Sequence, residues 1–252
     1  MARRFDDDSL FPTLNTLALL FYSAEAPLNH ATIKAIFWDN DGVLVDTEQL
    51  YFEATRQVLS DLGVSLSVEQ FTEFMLVQGK GAWHLAFERG VPEERLDELR
   101  RRRDGLYADL LTHRSRVILG VPEVLETLHG RYRMAVVTSS RRVHFDIIHR
   151  RSGLLPYFDF VITGEDSPTH KPDPGPYLLA TARSGFRSEE CVAIEDSQRG
   201  LIAAKRAGIG CFIIPTDLTR NGDFRAADKV LRSASQIPEA LMPESHDRRE
   251  SS

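Results

Sequence analysis

Two cysteines in 252 residues, Cys191 and Cys211, are too few for a disulfide framework or a thiolate metal cluster. Each falls inside a short apolar run, where a free thiol packs as a small hydrophobe. Net positive charge is absent as well: 31 lysines and arginines against 37 acidic residues leave a formal charge of -6, which gives no field for nucleic acid. The arginines at 100–103 follow Glu93, Glu94, Asp97 and Glu98 and read as a solvated helix face. The apolar stretch at 14–22 is too short to span a bilayer. It lies between Arg3-Arg4 and Ala24-Glu25-Ala26, so a secretory leader has to be weighed; Asp6, Asp7, Asp8 and Pro12 ahead of it argue against one. The expectation is a cytoplasmic protein, monomer or homodimer, with no nucleic-acid or membrane partner. Residues 1–31 read as a poorly ordered N-terminal extension and 241–252 as a frayed tail.

With 42% hydrophobic residues, the chain has enough apolar mass for one substantial core and a smaller module. Short β-branched or aromatic runs at 33–37, 134–137, 160–163, 191–194, 211–214 and, more weakly, 229–231 alternate with helical patterns at 122–129, 141–151, 175–184 and 197–207. Gly130, Gly153, Gly185 and Gly208 stand where those helices should stop. Repeated βαβ units of this kind predict an α/β fold, a doubly wound, Rossmann-like parallel sheet. The interval 48–116 breaks the rhythm, with helical patterns at 50–62, 68–76, 82–89 and 92–112 and no convincing strand. It reads as an inserted helical module, either a hinged cap over the site or a rigid accessory bundle. The expected division is a core of 32–46 and 118–240 with a cap of 47–117.

Chemistry gathers where these strands end. Asp39-Asn40-Asp41-Gly42 follows the first apolar run, and two carboxylates there suit a nucleophile and a proton-handling partner. The pairing suggests phosphoryl transfer through an aspartyl-phosphate, with a divalent cation between the carboxylates and the phosphate. Asp-x-Asp-Gly also occurs in plain turns and calcium loops. Thr138-Ser139-Ser140 offers hydroxyl and backbone donors after the second run, or a helix cap. Lysine occurs only at 34, 80, 171, 205 and 229 in a chain that otherwise uses arginine, so Lys171 within His170-Lys171-Pro172 suggests a compact point charge or a stiff structural loop. Glu195-Asp196 ends another run and suits an oxygen-coordinated magnesium ion, although either acid alternatively caps the helix that follows. His84, beside Lys80 and Trp83, either contacts substrate or packs within the module.

The ordered set of nucleophile, hydroxyl, lysine and acid pair resembles the haloacid dehalogenase superfamily over roughly residues 32–240. The resemblance implies Asp39 as nucleophile, Asp41 as general acid and base, Thr138 and Ser139 at the phosphate, Lys171 as the catalytic cation, and magnesium held by Asp39, the Asp41 carbonyl, Glu195 and Asp196. The second aspartate favours phosphate-ester chemistry over dehalogenation, because an alkoxide leaving group needs a proton. The segments 43–48 and 195–197 look most like the branch that holds β-phosphoglucomutase and many phosphatases of small metabolites. That mutase places an arginine after the cap glycine turn where Ala82 stands here; Lys80 or Arg141 is the substitute to consider, and Asn40 and His170 depart from the usual pattern too. The expectation is a magnesium-dependent phosphatase of a small phosphorylated substrate, with a phosphomutase and a non-catalytic binding module as rivals.

Overall fold

A computed structural model describes residues 32–242, so the N-terminal extension and all but two residues of the expected tail lie outside it. Six parallel strands form the central sheet: β1 (Ala35–Trp38), β4 (Arg133–Val137), β5 (Phe160–Ile162), β6 (Cys191–Glu195), β7 (Gly210–Ile213) and β8 (Lys229–Val230), in the spatial order β5-β4-β1-β6-β7-β8. The chain therefore winds outward from β1 in one direction and, after β5, in the other. The crevice at that reversal lies between the carboxyl ends of β1 and β6. Register brings Trp38 beside Val136 on one side and Ile194 on the other, so Asp39 emerges at the sheet's centre.

Both faces of the sheet are covered, which is why its strands read as continuous apolar runs. Successive side chains alternate between two cores. Ile36, Trp38, Met134, Val136, Val192 and Ile194 face one; Ala35, Phe37, Ala135, Val137, Cys191 and Ala193 face the other. Ile36, Phe37 and Trp38 are completely buried, and burial of each such side chain contributes about 1.5–3 kcal/mol.

The helical insertion hangs from a two-stranded antiparallel ribbon that the sequence did not reveal, β2 (Val45–Asp46) against β3 (Arg116–Val117). Between them run α1 (Glu48–Ser60), α2 (Val68–Phe71), a wide turn at Thr72–Val77, α3 (His84–Phe87) and α4 (Leu96–Arg114). α2 starts at a capping box, with Gln70 N donating to Ser67 Oγ at 3.2 Å and Ser67 N to Gln70 Oε1 at 3.0 Å. Phe52, Leu59, Phe71, Trp83 and Leu99 give the insertion its own small core. The arginine run on α4 divides: Arg100, Arg101 and Arg102 are exposed as a solvated face should be, but Arg103 turns inward. The remaining core helices are α5 (Val121–Leu128), α6 (Arg142–His149), α7 (Gly175–Ser184), α8 (Gln198–Arg206) and α9 (Ile237–Ala240). Among the described residues no helix is long and apolar enough to cross a membrane.

Candidate active site

Asp39 leaves β1 with its N–H bonded to Ile194 O at 2.9 Å, and the chain then turns back as Leu44 and Val45 donate to Asn40 O at 2.9 and 3.1 Å. Gly42 holds a left-handed φ of +79°, and a Cβ there would sit 2.7 Å from Asp196 Oδ2. Glycine is required on both counts. This turn aims Asp39 and Asp41 into a cavity of about 260 Å³ that Thr138, Ser139, Lys171 and Asp196 also line.

Lys171 is the charged hub of the site. Its ammonium donates to Asp39 Oδ1 at 2.9 Å, Glu195 Oε1 at 2.6 Å and Val137 O at 2.8 Å, which uses all three N–H groups. Burial opposes the charge, yet the carboxylates of Asp39 and Glu195 outweigh it and hold the lysine pKa above its ordinary range. Glu195 is fully buried, receives the Tyr177 hydroxyl at 2.6 Å, and leans so closely on α8 that a Cβ at Gly200 would lie 1.8 Å from its Oε2. The carboxylate thus orients the lysine, and only a glycine on the facing helix leaves room for it.

Asp41 has a separate set of partners. Ser140 Oγ donates to its Oδ2 at 2.6 Å, Thr138 Oγ1 reaches the same oxygen at 3.5 Å, and the Thr47 hydroxyl makes a short bond to Oδ1. The two aspartates therefore sit in different surroundings, one against a cation and the other among hydroxyls. Such a division suits a nucleophile and a proton carrier.

Negative charge dominates deeper in the site. Burial raises the Asp39 pKa to about 7, with Lys171 opposing and Glu195 and Asp41 reinforcing the rise. Asp196 is pushed well above the carboxylate range by burial, then by Glu48, Asp39 and Glu195, and its Oδ2 is buried with no hydrogen-bond partner. Glu48 rises to about 7 by burial, against the pull of a 2.8 Å bond from Thr216. Asp39, Glu195 and Asp196 each bring a carboxylate oxygen within 4.8 Å of the others. An orphaned carboxylate oxygen beside two more hard oxygen donors fits a divalent cation such as magnesium.

The expected substrate contacts fare unevenly. Thr138 and Ser139 line the cavity, and Arg141 reaches its rim with Nη1 2.7 Å from Asp104 Oδ2. Lys80 and His84, expected at the substrate, are not among the residues that line it. Lys80 is exposed, while the His84 ring packs edge-on against Phe74 at 4.5 Å. The side of this turn that faces the core meets Arg199 instead, whose Nη1 bonds Met75 O at 3.2 Å and whose Nη2 bonds Lys171 O. Thr47, Glu48, Tyr177 and Arg199 make site contacts that sequence reasoning did not assign, although Thr47 and Glu48 stand within the opening motif. Ser140, read from sequence only as one donor of the Thr138-Ser139-Ser140 run, is the one that bonds Asp41 at 2.6 Å.

A doubly wound sheet with this insertion and this acidic switch point matches one family model, described as haloacid dehalogenase-like hydrolase, over residues 36–214. The chain belongs to that family, as an enzyme of its phosphatase kind. It is 33% identical over 182 residues to the phosphorylated carbohydrates phosphatase of Thermotoga maritima, which covers 70% of this chain and 82% of that one. It is 31% identical over 207 residues to the phosphoglycolate phosphatase of Nitrosospira multiformis, covering 78% and 89%. Among solved structures, CbbY from Rhodobacter sphaeroides in complex with phosphate superposes with a TM-score of 0.69 at 26% identity, over 81% of this chain and 96% of that one. A mutant of the same protein has been solved with xylulose-(1,5)bisphosphate, TM-score 0.70.

Proposed function

We propose that this chain hydrolyses a small phosphate monoester, a phosphorylated sugar or kindred metabolite, through a covalent aspartyl-phosphate on Asp39, with magnesium as cofactor. The observation that carries the reading is the division of labour between the two aspartates, Asp39 on Lys171 at 2.9 Å and Asp41 on Ser140 at 2.6 Å, at the mouth of one cavity.

In the first half-reaction an Asp39 oxygen attacks phosphorus, the P–O ester bond breaks, and Asp41 gives its proton to the leaving oxygen. In the second, Asp41 takes a proton from water as the water oxygen attacks phosphorus, which releases inorganic phosphate and restores Asp39. Lys171 keeps nucleophile and phosphate from repelling each other, Glu195 and Tyr177 hold the lysine in place, and Thr138 with the backbone after β4 receives the transferring oxygens. Asp39, Glu195, Asp196 and the Asp41 carbonyl would hold the cation, which supplies charge neutralisation for the phosphoryl oxygens. Two buried, free cysteines suit a reducing cytoplasm.

The test is phosphate release from a panel of sugar phosphates, phosphoglycolate and nucleotides, with magnesium and with chelator. Wild type should turn over at least one ester only with magnesium, and Asp39→Asn should be folded and inactive. Full activity in that variant would eliminate the covalent mechanism. An assay for an isomerised sugar phosphate, run beside phosphate release from glucose 1-phosphate, separates hydrolysis from mutase chemistry.

A further inference from the structure

Three arginines line the cavity, and their charges are answered unequally. Arg103 Nε donates to Asp104 Oδ1 at 2.8 Å, Arg141 Nη1 donates to the other Asp104 oxygen at 2.7 Å, and Arg141 also lies 3.7 Å from Glu165. Arg199 has no carboxylate of its own. Among the described residues its hydrogen bonds go to two neutral carbonyls, from Nη1 to Met75 O at 3.2 Å and from Nη2 to Lys171 O. Three of its five N–H groups stay open, and the one on Nε is buried without an acceptor. Leaving a buried donor unpaired costs more than a typical hydrogen bond returns, and such a donor on a charged head calls for an acceptor from outside the chain.

The place of Arg199 in the fold narrows what that acceptor is. The residue sits in the first turn of α8, after β6, whereas the donors for the transferring oxygens follow β4, and β1 with Asp39 lies between the two strands. From there the side chain reaches the insertion, where Gly79 closes over it: a Cβ at Gly79 would lie 2.8 Å from Arg199 Cζ and 3.0 Å from its Nε. The head is thus fixed between core and insertion, on the wall formed with Met75 and Leu76. Burial lowers the Arg199 pKa, and the charges of Glu195 and Asp39 oppose that fall, so the guanidinium is within electrostatic reach of the reacting carboxylate.

Resting on the phosphatase reading, we propose that Arg199 receives a second oxyanion of the substrate, a carboxylate or a second phosphate, and so selects esters that carry one. The planar guanidinium fork matches either group with two parallel N–H bonds. An oxyanion gives this head the ion pair it lacks, whereas Arg103 and Arg141 already share Asp104. A hydroxyl in the same place would fill the hydrogen bond and leave the charge unpaired.

The experiment titrates the magnesium-loaded Asp39→Asn protein calorimetrically with two matched pairs, phosphoglycolate against hydroxyethyl phosphate and a hexose 1,6-bisphosphate against the hexose 6-phosphate. In at least one pair the ligand with the second oxyanion should bind at least tenfold more tightly, and the pair that shows the preference identifies carboxylate or phosphate. Adding Arg199→Gln should shrink that preference at least fivefold. Arg199→Lys, which keeps the charge without the fork, should retain part of it and guards against a misfolded glutamine variant. Equal binding within both pairs overturns the proposal. So does a preference that Arg199→Gln leaves unmoved, that Arg103→Gln removes instead, or that the lysine variant retains no better than the glutamine one. Wild-type turnover of p-nitrophenyl phosphate with magnesium is read separately: its absence beside an intact preference would overturn the phosphatase reading and not the binding of a second oxyanion at Arg199.

Discussion

Replacing a helical glycine by alanine usually stabilises a protein, and Gly200 in α8 should do the opposite. The intrinsic gain from Gly→Ala in a helix is about 1 kcal/mol. Against it, the new methyl would lie 1.8 Å from Glu195 Oε2 and 1.9 Å from its Cδ, far inside contact distance, so the carboxylate has to leave. Its departure strips Lys171 of a 2.6 Å partner and Tyr177 of another, both deep inside the protein. Losing one member of a buried ion pair costs about 3–5 kcal/mol, and overpacking adds about 1–3. Net of the helix gain, the expected loss is about 3–7 kcal/mol, a large share of a typical domain's stability of about 5–15 kcal/mol. Activity should fall by two orders of magnitude or more, since the lysine loses the group that aims it. Urea unfolding followed by tryptophan fluorescence, with phosphate release measured in parallel, tests both. A Gly200→Ala protein as stable and as active as wild type would show that Glu195 does not press on α8 and that Lys171 does not depend on it.

Two further outcomes are expected. The buried Asp39 carboxyl has its pKa raised from 3.8 to about 7, so the folded state holds a proton that the unfolded state has released; its contribution is present below about pH 4 and lost as pH rises through about 7. Three pH units correspond to about 4 kcal/mol, and in chelator the stability lost between pH 5 and pH 8 should be smaller in Asp39→Asn and nearly absent for wild type in magnesium. Parallel losses in the two proteins would remove Asp39 as the cause. Lys80→Ala should leave kcat/KM within twofold for every ester turned over, because the side chain is exposed away from the cavity; a tenfold loss would place it at the substrate after all.

The sheet was legible because parallel strands buried on both faces leave apolar runs, and helix stops were legible because Gly130, Gly153, Gly185 and Gly208 all take positive φ. β2 and β3 were not, since two residues carry no periodicity. At the site, Asp39, Asp41, Thr138, Lys171, Glu195 and Asp196 could be found because each lies at a strand end or on the loop serving one. Tyr177 and Arg199 could not, since nothing local marks a helix residue that reaches across to a strand tip. Lys80 and His84 fall outside the cavity lining for the related reason that sequence places a residue near a turn without saying which side faces the core. Asn40 stood out as a departure, and its explanation is tertiary: its Oδ1 accepts from His149 Nε2 at 2.7 Å, a buried bond whose histidine has its pKa lowered to about 4 by burial. An unusual residue between the aspartates was thus answered by another 109 positions away.

The insertion enters and leaves through one ribbon, Val45 against Val117 and Asp46 against Arg116, so its two ends are neighbours and the sheet never sees its length. Such a module can be lifted out and exchanged, much as a surface loop tolerates replacement when its ends are close. The exchange has a boundary, however. Thr47 bonds Asp41, and Glu48 bonds Thr216 beside Asp196, so the first two residues past β2 belong to the chemistry of the core. A chimera joined after Glu48 would inherit new selectivity on intact machinery, whereas one joined at Asp46 would import a stranger's catalytic threonine and glutamate along with its substrate pocket.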